Sequence, residues 1–179
     1  MRKLFLSLVA VLLCNVVSFA QFAGGNGSAN NPYLISTKAQ FEAIAQQSNG
    51  ASGKYFRQTA DINLGVYETR ASSIIPTFKG TYDGDGYTIT YQASFYKETV
   101  GNWGALTEES NHSLFGSVEG TIDSLNINAG VTLGGTANNM NVALLCGKLT
   151  SSGKITFCNV SGNVNSTVNP TIGGGSDAG

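Results

Sequence analysis

Charged residues are scarce: Asp, Glu, Lys and Arg make up 12% of the 179 residues, about half the usual share near 25%. Basic clusters are missing altogether, which argues against nucleic acid or an anionic membrane surface as a partner. There is one histidine, His112, so an H-E-x-x-H zinc peptidase is excluded. Proline occurs three times and tryptophan once. Long apolar runs are absent after the N-terminus, so no later segment is expected to span a bilayer. What fills the space is Gly, Asn, Ser and Thr. Residues 21–179 hold 23, 16, 16 and 16 of them respectively. Such a composition suits short strands joined by tight turns and disfavours helical bundles.

The one apolar run is N-terminal. Arg2-Lys3 precede an apolar stretch from Leu4 to Val17, and Ser18-Phe19-Ala20 place small residues at −3 and −1 of a cleavage site. Residues 1–20 therefore read as a cleavable signal peptide, in preference to a membrane anchor or to a lipoprotein signal at Cys14. Its removal leaves eight basic against eleven acidic residues, a net charge of −3. Two cysteines remain, Cys146 and Cys158. An exported pair is able to form a disulfide. Each also stands where a large apolar residue is expected, which suits a buried thiol. No zinc spacing is present, and no cofactor is expected.

Residues 21–31, rich in Gly and Asn, read as a flexible leader, and residues 32–50 as a strand followed by a helix. Thr37 and Gln40 have capping-box spacing. Phe41, Ile44 and Ala45 form one apolar stripe, and Asn49-Gly50 closes the helix. From Tyr55 onward the pattern is β. Gly86-Tyr87-Thr88-Ile89, Gly120-Thr121-Ile122 and Gly153-Lys154-Ile155 place Ile89, Ile122 and Ile155 at intervals of 33. Leu125 and Ile127 are answered 33 residues on by Cys158 and Val160, and Gly116 is answered by Gly147 at 31. Apolar and polar residues alternate within each copy. One unit cannot bury its own apolar face, but a stack of units can. The expectation is an all-β fold, a parallel β-helix (solenoid) over residues 51–170, in which Ile89, Ile122 and Ile155 stack. The helix should cap the first rung, with Phe41 and Ile44 buried near Tyr55, Ile62 or Leu64.

The ordered segments Pro32-Tyr33-Leu34-Ile35-Ser36-Thr37, Gly53-Lys54-Tyr55-Phe56, Ala60-Asp61-Ile62-Asn63-Leu64 and Phe78 to Ile89 resemble the start of bacterial secreted GLUG-motif proteins. The GLUG positions themselves depart from the pattern, reading Ser113-Leu114-Phe115-Gly116 and Leu144-Leu145-Cys146-Gly147. The resemblance implies a right-handed β-helix and an adhesin-like surface protein. Similar modules precede IgA-cleaving metallopeptidase domains.

Candidate chemistry is sparse. Asp83-Gly84-Asp85-Gly86 opens like a calcium loop but lacks its later acidic ligand, so a tight turn is the stronger expectation. An insertion at 93–112 carries Tyr96 and Trp103, aromatics able to stack on sugar rings or to fold back onto the solenoid. The leading expectation is a non-catalytic secreted or surface solenoid that binds an extracellular glycan or protein. A stalk of a larger enzyme or adhesin is the alternative, and a β-helix carbohydrate-active enzyme the least favoured. Residues 171–179, Gly-rich, read as an incomplete repeat. An uncapped end there would expose Val160 and Val164 and favour self-association.

Overall fold

The computed structural model describes residues 21–69, 73–97, 110–135 and 140–166. The chain is mostly β, with parallel sheets and little helix. The strands are β1 (Tyr33–Ile35), β2 (Tyr55–Gln58), β3 (Ile62–Thr69), β4 (Ser73–Phe78), β5 (Thr81–Asp83), β6 (Thr88–Lys97) and β7 (Ser110–Val118). They continue with β8 (Thr121–Asp123), β9 (Asn126–Gly135), β10 (Met140–Val142), β11 (Cys146–Leu149), β12 (Lys154–Thr156) and β13 (Asn159–Ser166). One sheet runs β1-β2-β5-β8-β12, and a second runs β3-β6-β9-β13. In the third, β7 pairs with β4 and with both β10 and β11. Every pairing between these strands is parallel. From β2 the chain visits the three sheets in a fixed order and then repeats the circuit.

Alternation decides which side chains meet between the sheets. The first sheet buries Phe56, Tyr82 and Ile122 on successive strands; the second buries Ile62, Ile89 and Ile127; the third contributes Ile75 and Phe115. All belong to one apolar core. Gln58 is buried among them because its polar atoms are all used. Its Nε2 donates to the carbonyls of Ala60 (2.9 Å) and Thr88 (3.2 Å), and its Oε1 accepts from the Tyr82 hydroxyl at 2.9 Å.

The register places Ile122 opposite Ile155, and Ile127 opposite Val160. Ile89 lies elsewhere than the sequence spacing suggests. It pairs with Ile62 and Ile127, and the residue opposite Ile122 is Tyr82, 40 positions upstream. The equality of the two 33-residue intervals is a coincidence, because circuits differ in length. The circuit from β5 to β8 includes the stretch joining β6 to β7 and is longer than the next. The expected insertion at 93–112 is itself partly strand, since β6 runs to Lys97 and β7 starts at Ser110.

The helix α1 (Lys38–Ala43) starts with the expected capping box: Thr37 Oγ1 accepts from Gln40 N–H at 3.3 Å, and Gln40 Oε1 from Thr37 N–H at 3.2 Å. It is only six residues long and gives way to short 3-10 turns at Ile44–Gln46 and Ser48–Ala51. Asn49 and Gly50 adopt left-handed conformations there, at φ 51° and 62°. Phe41 and Ile44 are buried as expected, and the helix lies against β3, the strand of Ile62 and Leu64. The Phe41 ring meets Tyr82 and Phe115 edge-on, each with centroids 5.8 Å apart. Tyr55 faces outward because β2 sends Phe56 and Gln58 inward.

Residues 21–31 are not a loose leader. Ala23 and Leu34 tie them to β1, with Ala23 N–H donating to Leu34 O (3.1 Å) and Leu34 N–H to Gly24 O (3.0 Å). Tyr55 N–H donates to Gly27 O at 3.0 Å, and Phe22 stacks on Tyr33 with centroids 4.5 Å apart. Gly25 and Gly27 make this return feasible. Both have positive φ, and a Cβ would collide with the Pro32 carbonyl and the Tyr33 ring respectively.

Candidate functional site

The outer face of the second sheet is built from the four paired strands β3, β6, β9 and β13. Pairing places Asn63, Thr90, Asn128 and Ser161 in one row across β3, β6, β9 and β13. Val66, Gln92, Gly130 and Asn163 form a second row, and Glu68, Ser94, Thr132 and Asn165 a third. On β6, β9 and β13 these residues are uncharged, and Gln92, Asn128, Ser161, Asn163 and Asn165 are exposed; on β3 the second and third rows end in the exposed Val66 and in Glu68. The row is flattened at Gly130, where a Cβ would collide with the Gln92 side-chain amide. Ser161 Oγ donates to Ile127 O at 3.0 Å, while Asn63 Oδ1 accepts from Gly65 N–H at 2.8 Å beside an irregularity in the β3–β6 register.

The outer face of the first sheet carries the charges. Arg57, Asp83, Asp123 and Thr156 occupy one row. Arg57 holds Asp83 Oδ2 through both Nε and Nη2 at 3.1 Å. The other oxygen, Asp83 Oδ1, accepts from Asp85 N–H at 2.9 Å. Asp85 and Gly86 have φ of 49° and 78°, so the Asp-Gly-Asp-Gly string is a tight turn stapled by its first carboxylate. Asp123 accepts from the Thr156 hydroxyl and from Ser124 Oγ. Among the described residues no group of three or more His, Cys, Asp or Glu side chains is placed to hold a metal ion.

The remaining candidates separate plainly. Gly116 and Gly147 face one another's strands in the third sheet, and both are packing positions. A Cβ on Gly116 would sit 2.5 Å from Pro76 O, and one on Gly147 would sit 2.8 Å from Asn111 Cβ. His112 and Ser113 are buried neighbours on β7, and Ser113 Oγ donates to Phe115 O at 2.6 Å. Tyr96 pairs through its backbone with Gly134; its side chain and all of Trp103 lie outside the described residues. Cys146 and Cys158 are separate, half-buried thiols. Burial is the main cause that raises both above the ordinary thiol range, which lowers their thiolate fraction at neutral pH. Iodoacetamide should therefore label the folded protein more slowly than the urea-unfolded chain; equal rates would show both thiols to be as open and as acidic as in the unfolded chain.

One residue escapes a sequence reading. Phe157 is 88% exposed and holds φ at 51°. The same corner one circuit earlier holds Ser124 at φ 52°. A bulky residue in this conformation is strained. The signal was available, since Ile122-Asp123-Ser124-Leu125 aligns with Ile155-Thr156-Phe157-Cys158. A polar turn residue has been replaced by an aromatic one.

No family model matches the chain, and no solved structure matches it. No helix among the described residues is long and apolar enough to cross a membrane. The chain is 34% identical over 89 residues to a Gly-rich membrane protein of Evansella cellulosilytica, covering 46% of this chain and 10% of that protein. It is also 32% identical over 164 residues to halomucin of Haloquadratum walsbyi, a match that spans 84% of this chain but 2% of halomucin.

Proposed function

We propose that the three parallel sheets are the faces of a right-handed β-helix, and that the protein is a non-catalytic secreted or cell-surface module binding an extracellular glycan or protein. The repeated circuit through three sheets around one core supports the β-helix, as does the resemblance to GLUG-motif proteins. The reading of residues 1–20 as a cleavable signal supports export. The observation that carries the binding role is the outer face of the second sheet. Its Asn, Thr, Ser and Gln rows repeat at about 4.8 Å from strand to strand. Each amide offers both donors and an acceptor, and contact with an uncharged polymer along the β6, β9 and β13 parts of these rows desolvates no ion. Tyr96 and Trp103 are a second place for a glycan to touch.

A glycan and matrix-protein array probed with the purified protein tests this. Bound ligands should be lost by at least about tenfold when Asn128 and Asn163 are changed together to Glu, with an unchanged melting temperature, as for other exposed surface substitutions. Binding untouched by that pair would move the site off this face, and an empty array would remove the binding role. A second reading, a stalk within a larger surface protein, is favoured by the small share of each relative that the chain covers. Immunoblotting the source cells with antibody to this chain distinguishes it, since a stalk appears only in a band much larger than this sequence.

A further inference from the structure

We propose that the outer face of the second sheet takes an extended, uncharged polysaccharide of equatorially (β-1,4) linked sugars, lying across the strands. It rests on the glycan-binding reading of that face and narrows the ligand to one class and one direction. The row that carries it is Asn63, Thr90, Asn128 and Ser161, one residue from each of β3, β6, β9 and β13. Of the three rows it alone is polar and uncharged on all four strands, since the others reach Val66 and Glu68. Asn63, Asn128 and Ser161 are exposed, and Thr90 is half-buried. Each keeps hydrogen-bonding capacity for a ligand. Asn63 Oδ1 accepts from Gly65 N–H, leaving Nδ2 to donate, and Ser161 gives its hydroxyl proton to Ile127 O, leaving Oγ to accept. Thr90 and Asn128 bring a hydroxyl and an amide, each both donor and acceptor.

Spacing sets the direction. Neighbouring positions in the row are about 4.8 Å apart, the distance between paired strands, which is close to the length of one sugar in an equatorially linked ribbon. Outward positions along a single strand lie about 6.6 Å apart, so a chain laid along a strand falls out of step within two units. A coiled α-1,4 chain offers no such straight repeat. Charge sets the class. The row holds no ion, and the one ionisable residue in its two companion rows, Glu68, is acidic. A uronic-acid or sulfated glycan would find no cation there to replace its lost solvation. The three rows also lack aromatic residues, so no single sugar is held by ring stacking. Binding must accumulate from hydrogen bonds that are individually weak. One sugar covers one or two positions, whereas a chain of four meets all four strands. Affinity therefore grows with chain length.

Isothermal titration calorimetry of the purified protein with β-1,4-glucose and β-1,4-N-acetylglucosamine oligomers, from the single sugar to the hexamer, tests the proposal. Both series share the straight linkage and the absence of charge, and comparing them shows which sugar the row takes. In the preferred series the single sugar should give no measurable binding. Each added unit should tighten binding by about two- to tenfold, through at least the tetramer. The α-1,4-glucose hexamer and a polygalacturonate oligomer should bind at least about tenfold more weakly than the β-linked hexamer. Asn128→Ala should weaken the hexamer by about two- to tenfold at an unchanged melting temperature, and by more than Asn165→Ala in the third row. Equal affinities for dimer and hexamer, or for α- and β-linked hexamers, would overturn the proposal, as would failure of both β-linked series to bind. If both fail while the array yields a glycan that is lost on changing Asn128 and Asn163 to Glu, the face binds but its ligand is of another class. An array without any ligand removes the binding role itself.

Discussion

Phe41→Ala should remove about 3–5 kcal/mol of folding stability, the range for deleting a large buried aromatic. The helix that carries Phe41 is six residues long, well short of the roughly 12–15 at which a helix begins to hold itself together in water. Its order must come from what it buries. Phe41, Ala43 and Ile44 point into the core, and the Phe41 ring lies edge-on to both Tyr82 and Phe115. Those two rings belong to different sheets, so one side chain joins the cap to the first and third sheets together. Each edge-to-face pair adds about 0.5–1.5 kcal/mol beyond area burial. A domain of this size has about 5–15 kcal/mol in all, so the variant sits near the unfolding threshold. Urea unfolding followed by circular dichroism measures the loss. Replacing Phe41 and Ile44 together with Asp should give aggregates, because charge then replaces the cover over apolar residues. A Phe41→Ala loss below about 1 kcal/mol would show that the helix rides on the surface.

What could be read from the sequence was local. Thr37 and Gln40 announce a helix start because the capping box needs two residues at fixed separation. Alternation placed Ile122 and Ile127 inward because strand geometry has a strict period of two. The alignment of Ile89 with Ile122 failed for a long-range reason. Loop length costs little free energy, so circuits of unequal length coexist, and two equal intervals need not report equivalent positions. The glycines of residues 21–31 were misleading in another way. Gly25 and Gly27 resemble linker residues by composition, yet they occupy positive-φ positions where the chain turns back against Pro32 and Tyr33. Composition does not distinguish a glycine that frees the backbone from one that a close approach requires.

Candidate sites were harder still. Asp83 and Asp85 stand out as a carboxylate pair, but the fold commits Asp83 to Arg57 and to the turn. Arg57 lies 26 residues upstream and meets Asp83 only through strand register. The largely uncharged rows of the second sheet have the same origin. No single segment looks unusual, and the face exists only once β3, β6, β9 and β13 are paired. A binding surface assembled by stacking is thus spread thinly through the sequence, one or two residues per strand.

Gly120→Ala should cost more than about 3 kcal/mol, at or beyond the upper end for an overpacked core. Gly80, Gly120 and Gly153 occupy the same corner in successive circuits, each just before a strand of the first sheet. At each corner the next residue donates to the circuit below: Thr81 N–H to Lys54 O at 2.8 Å, Thr121 N–H to Gly80 O at 2.9 Å, and Lys154 N–H to Gly120 O at 2.8 Å. These bonds draw the backbones together, and the space a Cβ would need is gone. On Gly120 it would fall almost on Gly80 O and 2.6 Å from Lys79 C; on Gly80 it would sit 2.8 Å from Lys54 O; on Gly153 it would overlap Val118 O. The obstacle in each case is main chain, which cannot rotate aside as a side chain does. Alanine must therefore push two circuits apart and stretch the β5–β8 pairing. Gly24→Ala is the matched control, since its Cβ would lie 3.5 Å from the Leu34 side chain, an ordinary contact, and its change should stay within about 0.5 kcal/mol. Equal stabilities for the two variants would mean that the corner relaxes freely and that the glycine column does not set the spacing of the circuits.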